Sequence, residues 1–392
     1  MDWARQGADY LEALRARGLR TPTIDSWVET TLDELAPSLQ LAVFQKEALV
    51  LSIAAGHSRR DGQIRRSSLF LLYSSTKLYT ALAFYLLHDR AYFDWDDPVC
   101  LHWPEFAEGG KEAVTIRHVL THQAGIAVEP PATSWTWWGD RAEVARAMER
   151  STLKWKPGEA NGYHNRTYGF ILDCLAHRLT GRGVDQLLQD ELCGPAGVGD
   201  FTLGIGRAAY DSRFVRTEFL GGPEGAQPVE QGEFRVAIDG ENMFNAFPIV
   251  RLPLAWGTAV ATAEAAAALA CFHAGKGRFG SIRAYSEETY AQATTNHSQA
   301  GAVDRTLGRP VSWGLGVQVD PFPGVPGLEE ALAHGGGSTV QVWTEPRTGL
   351  SVAIILGGLR LDRAAARRGD GALGGAWQQR FAAAVADDFQ LG

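Results

Sequence analysis

The chain has 392 residues, 45% of them hydrophobic and 21% charged, and a formal net charge of −8. That length suits one large domain or two fused ones, and the balance is globular rather than disordered or fibrous. An acidic total without a basic stripe argues against nucleic acid as a partner, and no apolar run is long enough to span a membrane.

Residues 1–19 read as an amphipathic helix carrying Trp3, Tyr10, Leu11 and Leu14, stopped by Gly18. They show neither the apolar core nor the cleavage site of a signal peptide, so a cytoplasmic protein is expected. A second helix is predicted over 24–35, with Trp27, Val28, Leu32 and Leu35 on one side. Segments 39–45 and 48–55 read as strands, and the short polar link Lys46-Glu47 suggests a hairpin.

Helical patterns follow at 78–87, 168–179, 184–192 and 262–274, the last ended by Gly275 as a left-handed cap. Residues 221–233 read as a long surface loop. Strand signals return at 313–319, 338–344 and 350–356, the last two joined by the turn "EPRTG". A final helix carries Trp377, Phe381, Val385 and Phe389. Strands at both ends around a helical middle predict an α/β (α+β) fold, an antiparallel sheet built from the N- and C-terminal segments and flanked by helices. The expected division is 1–73 with 300–392 for the sheet domain and 74–299 for an inserted, mainly helical domain. Cys100, Cys174, Cys193 and Cys271 form no C-x-x-C pair, so each reads as a small buried apolar residue rather than a metal ligand or half of a disulfide framework.

Three short motifs carry chemistry. In "LLYSSTKLYT", Ser74 and Lys77 are three residues apart, on one face of any helix that begins there. A lysine so placed can take the serine proton, and the helix dipole favours developing negative charge at Ser74. The same residues also describe a helix with a serine cap, and Ser151 to Lys154 repeats the pattern ahead of a proline-glycine turn. In "PGEANGYHNRTYGF", Tyr163 can shuttle a proton and Asn165 can bind a substrate carbonyl or hold Lys77. A loop tyrosine with its hydroxyl in water and a capping asparagine is the simpler reading of the motif alone. In "AHGGGSTVQVWT", His334 and its glycines precede a strand, where free N–H groups can bind an oxyanion or simply form a flexible entry. "HGGG" is also an α/β-hydrolase motif, but no G-x-S-x-G elbow accompanies it here.

The order S-x-x-K, Y-x-N, H-x-G resembles the serine β-lactamase and penicillin-binding-protein superfamily, nearest to its class C-like esterases and transesterases. "FDWDDPVCLHWPEF", "TIRHVLTHQAGI", "LTGRGVDQLLQDELCGPAGVGDFTLG" and "HGGGSTVQVWTEPRTGLSVAIILGG" resemble further blocks of that family, from about residue 39 onward. The resemblance implies Ser74 as the acylated nucleophile, Lys77 as its base and Tyr163 as proton shuttle. Asn165 would orient Lys77 and substrate, and the N–H groups of Ser74 and Gly337, within His334-x-Gly336-Gly337, would form the oxyanion hole. The active site would lie at the interface of the two domains. His334 stands where β-lactamases carry a lysine. A neutral histidine supplies no permanent cation for a substrate carboxylate. His122, in the "LTHQAG" block, reads as structural.

Trp135, Trp137 and Trp138 crowd one proline-rich loop, and with Trp256 they suit either an apolar substrate wall or a buried anchor. The expected activity is a carboxylesterase-like serine hydrolase acting on small-molecule esters, thioesters or amides with an apolar part. The alternatives are an acyltransferase, transesterase or peptide-releasing cyclase, a β-lactamase or D-amino-acid peptidase, and a ligand-binding relative without catalysis. No cofactor or metal is implied.

Overall fold

The computed structural model describes residues 20–127, 132–220, 237–238, 241–299, 301–360 and 376–391. The helix expected over 1–19 and the loop expected over 221–233 lie outside the described residues.

Helix α1 (Pro22–Thr30) opens on a proline, whose missing N–H is harmless in a first turn, and passes into a π-helical turn over Thr31–Leu35. Strands β1 (Ser38–Gln45) and β2 (Ala48–Ser58) are joined by Lys46 and Glu47, at φ 48° and 69°. Two left-handed residues give the hairpin link whose twist suits paired strands. Strands β3 (Gly62–Gln63) and β4 (Leu69–Leu71) lead to helix α2 (Thr76–Asp89). Then come α3 (Arg141–Glu149), α4 (Thr167–Thr180), α5 (Val184–Leu188), β5 (Phe201–Leu203) and β6 (Phe214–Val215). Strand β7 (Ala259–Ala261) and helix α6 (Ala263–Ala274) follow. The described chain closes with β8 (Gln318–Val319), β9 (Leu332–Gly336), β10 (Val340–Glu345), β11 (Leu350–Leu356) and α7 (Ala376–Asp388).

The main sheet has the order β8-β9-β10-β11-β1-β2-β3, and every neighbouring pair is antiparallel. It joins both ends of the described chain, with Leu39 opposite Leu356 and Gln45 opposite Leu350. Side chains alternate across it as the period of two demands. Leu39, Leu41, Val43, Val352 and Ile354 face α1 and α7, where Ile24, Val28, Trp377, Phe381 and Val385 complete one core. Ala42, Val340, Val342, Ala353 and Ile355 face the other way, onto a larger core that includes α6 and α2. The alanines of α6 let it lie close on that face, and Ser351 donates its hydroxyl to the Ala267 carbonyl at 2.7 Å.

The region between the sheet segments is mainly helical, but it also carries a four-stranded sheet of order β5-β7-β4-β6. Helix α2 is deeply enclosed, since every residue from Thr76 to Leu87 is buried. A helix apolar all round belongs in a core, and each of its buried leucines stabilises it by about 1.5–3 kcal/mol. Lys77 sits on this helix.

Three expectations need correction. The strand predicted over 313–319 is reduced to β8 plus a bridge from Trp313 to Gln318. Its alternating apolar residues are broken by Gly314 and Gly316, the latter at φ 82°, which fold the backbone into a tight turn. Gly275 ends α6 at φ −90°, not left-handed. It is needed for space, because a Cβ there would lie 2.2 Å from the Arg278 carbonyl oxygen. Cys174, Cys193 and Cys271 are buried, but Cys100 is only half-buried; all four are free thiols.

Candidate active site

The serine turn is built where β4 ends. Leu72 still donates to the Ala259 carbonyl as a continuation of the small sheet. Tyr73 then takes φ 47°, a left-handed conformation that a bulky side chain adopts only when its surroundings impose it. Its ring is buried, and its hydroxyl donates to Thr217 Oγ1 at 2.9 Å. Residues Tyr73–Ser75 form one 3-10 turn, and α2 begins at Thr76. The turn throws Ser74 to the edge of the core, 8% exposed.

Lys77, one turn further on, has no exposed surface. Its Nζ donates to Ser74 Oγ at 3.3 Å and to the Trp256 carbonyl at 3.0 Å. The same nitrogen lies 4.9 Å from the centre of the Tyr163 ring and 5.9 Å from that of Tyr168. Tyr163 is buried between aromatic neighbours. The Trp313 ring stacks on it at 5.7 Å and 11°, and His122 packs 4.8 Å away. The Tyr163 main-chain N–H donates to Asp304 Oδ1 at 2.9 Å. Asn165 is half-buried, and its Oδ1 has no hydrogen-bond partner among the described residues.

The third motif comes from the sheet edge. "HGGG" precedes strand β10, as expected, and also ends one, since His334 to Gly336 belong to β9. Ser75 Oγ donates to the His334 carbonyl at 2.8 Å, which ties the serine turn to β9. Gly336 permits this approach: a Cβ there would lie 2.1 Å from the Leu72 carbonyl oxygen and 3.0 Å from the Ser75 nitrogen. Gly337 and Ser338, at φ 51° and 60°, then turn the chain into β10.

Three buried histidines surround the Lys77–Tyr163 pair, and burial keeps all three neutral. The His334 imidazole is pushed down to about 3 by desolvation and then by the Lys77 charge. His164 falls to about 4 by desolvation. His122 lies well below the ordinary range through desolvation, His164 and Lys77. His334 Nδ1 is 2.8 Å from the Gly335 carbonyl, so it carries the ring proton. Its Nε2 is then an acceptor, without a partner among the described residues.

The tryptophans separate into two groups. Trp135 and Trp137 are partly buried against the core. Trp138 and Trp256 are 3% and 2% exposed, packed against each other and on Phe170, with the Arg166 guanidinium 5.3 and 5.6 Å from their rings. The contact of Trp256 with Lys77 runs through its carbonyl, not its ring. Sequence reasoning passed over Asp304, Trp313, Ser75 and Thr217. Only Asp304 left a trace, in the pattern Asp-Arg-Thr-Leu of a side chain that caps its own turn.

The serine turn, the lysine behind it and the glycine-bearing edge of β9 meet at one place, an arrangement of the kind used by enzymes that transfer acyl groups through a serine. The family profile described as Beta-lactamase matches residues 24–374, and the chain belongs to that family. It is similar to the "Esterase/beta-lactamase LipL" of Mycobacterium tuberculosis, 29% identical over 341 residues that cover 80% of this chain and 76% of that protein. The fold is shared with a penicillin-binding protein homologue from Caulobacter crescentus, at TM-score 0.77 and 23% identity over 93% of this chain and 96% of that one. A family VIII carboxylesterase gives the same TM-score at 20% identity, over 94% and 97% of the two chains. The protein is accordingly an enzyme of the serine hydrolase and acyltransferase kind. Among the described residues, no cluster of side chains could hold a metal ion, and no helix is long and apolar enough to cross a membrane.

Proposed function

We propose that the protein is a carboxylesterase-like hydrolase that forms an acyl-enzyme on Ser74. The observation that carries this reading is the approach of Lys77 Nζ to Ser74 Oγ, 3.3 Å, with the Tyr163 ring over the same nitrogen. The spacing is within the looser range of a nucleophile and base before substrate binds.

In the first step Ser74 Oγ attacks the ester carbonyl carbon, and its proton passes to the Lys77–Tyr163 pair. The N–H groups of Ser74 and Gly337 receive the charge on the carbonyl oxygen. The C–O bond to the leaving alcohol breaks, and the pair returns the proton to that oxygen. In the second step Tyr163 takes a proton from water, whose oxygen attacks the acyl carbon and releases the acid. The proton then restores the Ser74 hydroxyl. An alcohol or amine in place of water gives transfer instead of hydrolysis by the same route. Asn165, with a carboxamide oxygen still available, would orient the substrate.

The neutral His334 argues for an uncharged ester over a penicillin or a peptide stem, because it offers no cation to a carboxylate. It does offer an acceptor to a substrate O–H or N–H. The resemblance to an esterase/beta-lactamase supports an ester substrate but does not separate it from a β-lactam. We also propose that the site lies between the sheet region, 1–73 with 300–392, and the helical region, 74–299.

Intact-mass analysis after exposure to an aryl phosphonate, with hydrolysis of p-nitrophenyl butyrate, tests the reading. One adduct on Ser74 and background turnover in S74A are expected. Labelling at Ser151, or turnover in S74A equal to that of the parent protein, would refute it.

A further inference from the structure

Nearly the whole loop over 301–310 faces water; only Asp304 turns fully inward. Its carboxylate has no exposed surface, and among the described residues no cationic side chain pairs with it. Four N–H groups hold it instead. Oδ1 accepts from the main chain of Thr306 and Leu307, each at 2.9 Å, which closes the local turn. The same oxygen accepts from the Tyr163 N–H at 2.9 Å, and Oδ2 accepts from the Trp313 indole at 3.2 Å.

Burying a carboxylate is costly, and a local turn needs only the first two bonds. The other two converge on one target. One fixes the main chain of Tyr163. The other fixes the indole whose ring stacks on the Tyr163 phenol at 5.7 Å and 11°. We propose that Asp304 is a positioning residue that holds the Tyr163 phenol in register for proton transfer, through the tyrosine backbone and through Trp313. The proposal rests on Tyr163 carrying the proton. A misplacement of about 1 Å at such a group costs on the order of 10²-fold in rate.

The test is a set of variants assayed with p-nitrophenyl butyrate, with rates per phosphonate-titrated site. Y163F alone should lose about 10²- to 10⁴-fold, the size of a general acid–base contribution. Near-normal turnover in Y163F would overturn the function proposed for Tyr163 itself. If Y163F is impaired, D304N carries the inference. Its amide must point an NH₂ group at another donor, so kcat should fall about 10- to 100-fold with KM within about threefold. Trp313→Phe keeps the stacked ring and removes the indole donor. D304N/W313F should therefore recover a large part of the D304N loss, and D304N should cost nothing further in a Y163F background.

Equal kcat in D304N and the parent protein would overturn the inference. So would an undiminished D304N effect in the Y163F background, since the loss would then bypass the phenol. If D304N does not accumulate as folded protein, Trp313→Leu replaces it. Loss of kcat only where Tyr163 is present supports the inference, and loss in both backgrounds overturns it.

Discussion

Ser74-x-x-Lys77 and Ser151-x-x-Lys154 have the same spacing in different surroundings. The first begins in a 3-10 turn and runs into a fully buried helix, so Lys77 stays out of water with its Nζ 3.3 Å from the serine hydroxyl. The second follows α3 in irregular chain. Ser151 gives its hydroxyl to the Met148 carbonyl at 2.6 Å, and Lys154 stands exposed. A third lysine completes the contrast. Lys111 is as buried as Lys77, but its Nζ donates to the carbonyls of Glu108, Glu149 and Ser151. Three carbonyls fix a cation; they take no proton. Spacing without an enclosing helix leaves a lysine in solvent, and burial among carbonyls makes a structural clamp. Of the three, only Lys77 reaches a hydroxyl at the edge of a core.

The lysines are where this contrast breaks most sharply. K77M should lower kcat/KM on p-nitrophenyl butyrate by about 10²- to 10⁴-fold, as expected for a lost base. K154M should stay within about twofold, as surface substitutions do. K111M should leave turnover per folded molecule unchanged but lower stability to urea by about 1–3 kcal/mol, because buried carbonyls lose their donor. Equal losses in K77M and K154M would mean that surroundings do not distinguish the two motifs.

Next in size is G336A. The added methyl meets the Leu72 carbonyl and the Ser75 nitrogen, so the serine turn and β9 must separate. A loss of about 1–3 kcal/mol on the overpacking scale is expected, read by urea unfolding, together with a fall in kcat. A stable, fully active G336A would show that the contact between β9 and the turn is dispensable.

The last effect is electrostatic and is spread over several pH units. His164 and His334 stay neutral in the folded protein down to about 4 and about 3. Unfolded histidines take protons near pH 6.5, so the unfolded state binds more protons below that value. Stability should therefore fall as pH drops through about 6.5, by about 1.4 kcal/mol per unit for each such histidine. The decline from His164 stops near its folded value of about 4, and that from His334 near about 3. Above pH 6.5 neither contributes a slope. H334Q should remove one histidine's share, which urea midpoints on either side of about pH 5 would detect; an unaltered slope would place the neutral group elsewhere.

The parts of the fold readable in the sequence are those governed by short-range rules. Short apolar runs closed by turn residues marked β1, β2 and β11, and the i, i+3 spacing placed Lys77 beside Ser74. Where glycine acts through distant atoms, pattern failed. Gly316 admits the Tyr168 hydroxyl, where a Cβ would lie 2.4 Å from that oxygen, and so replaces the expected strand with a turn. Gly275 yields to the Arg278 carbonyl rather than to a left-handed backbone. Asp304 was invisible for the same reason. Its local turn is legible, but its bond to Tyr163 spans 141 residues, and nothing near either residue announces the other.

The tie between Ser75 and the His334 carbonyl joins residues 259 positions apart. During synthesis the serine and its lysine leave the ribosome long before the strand that braces their turn exists. A growing chain therefore carries the proposed nucleophile but neither the brace nor the glycine N–H beyond it. The geometry proposed for acyl transfer is therefore complete only once this late segment has folded, with β9 beside the turn.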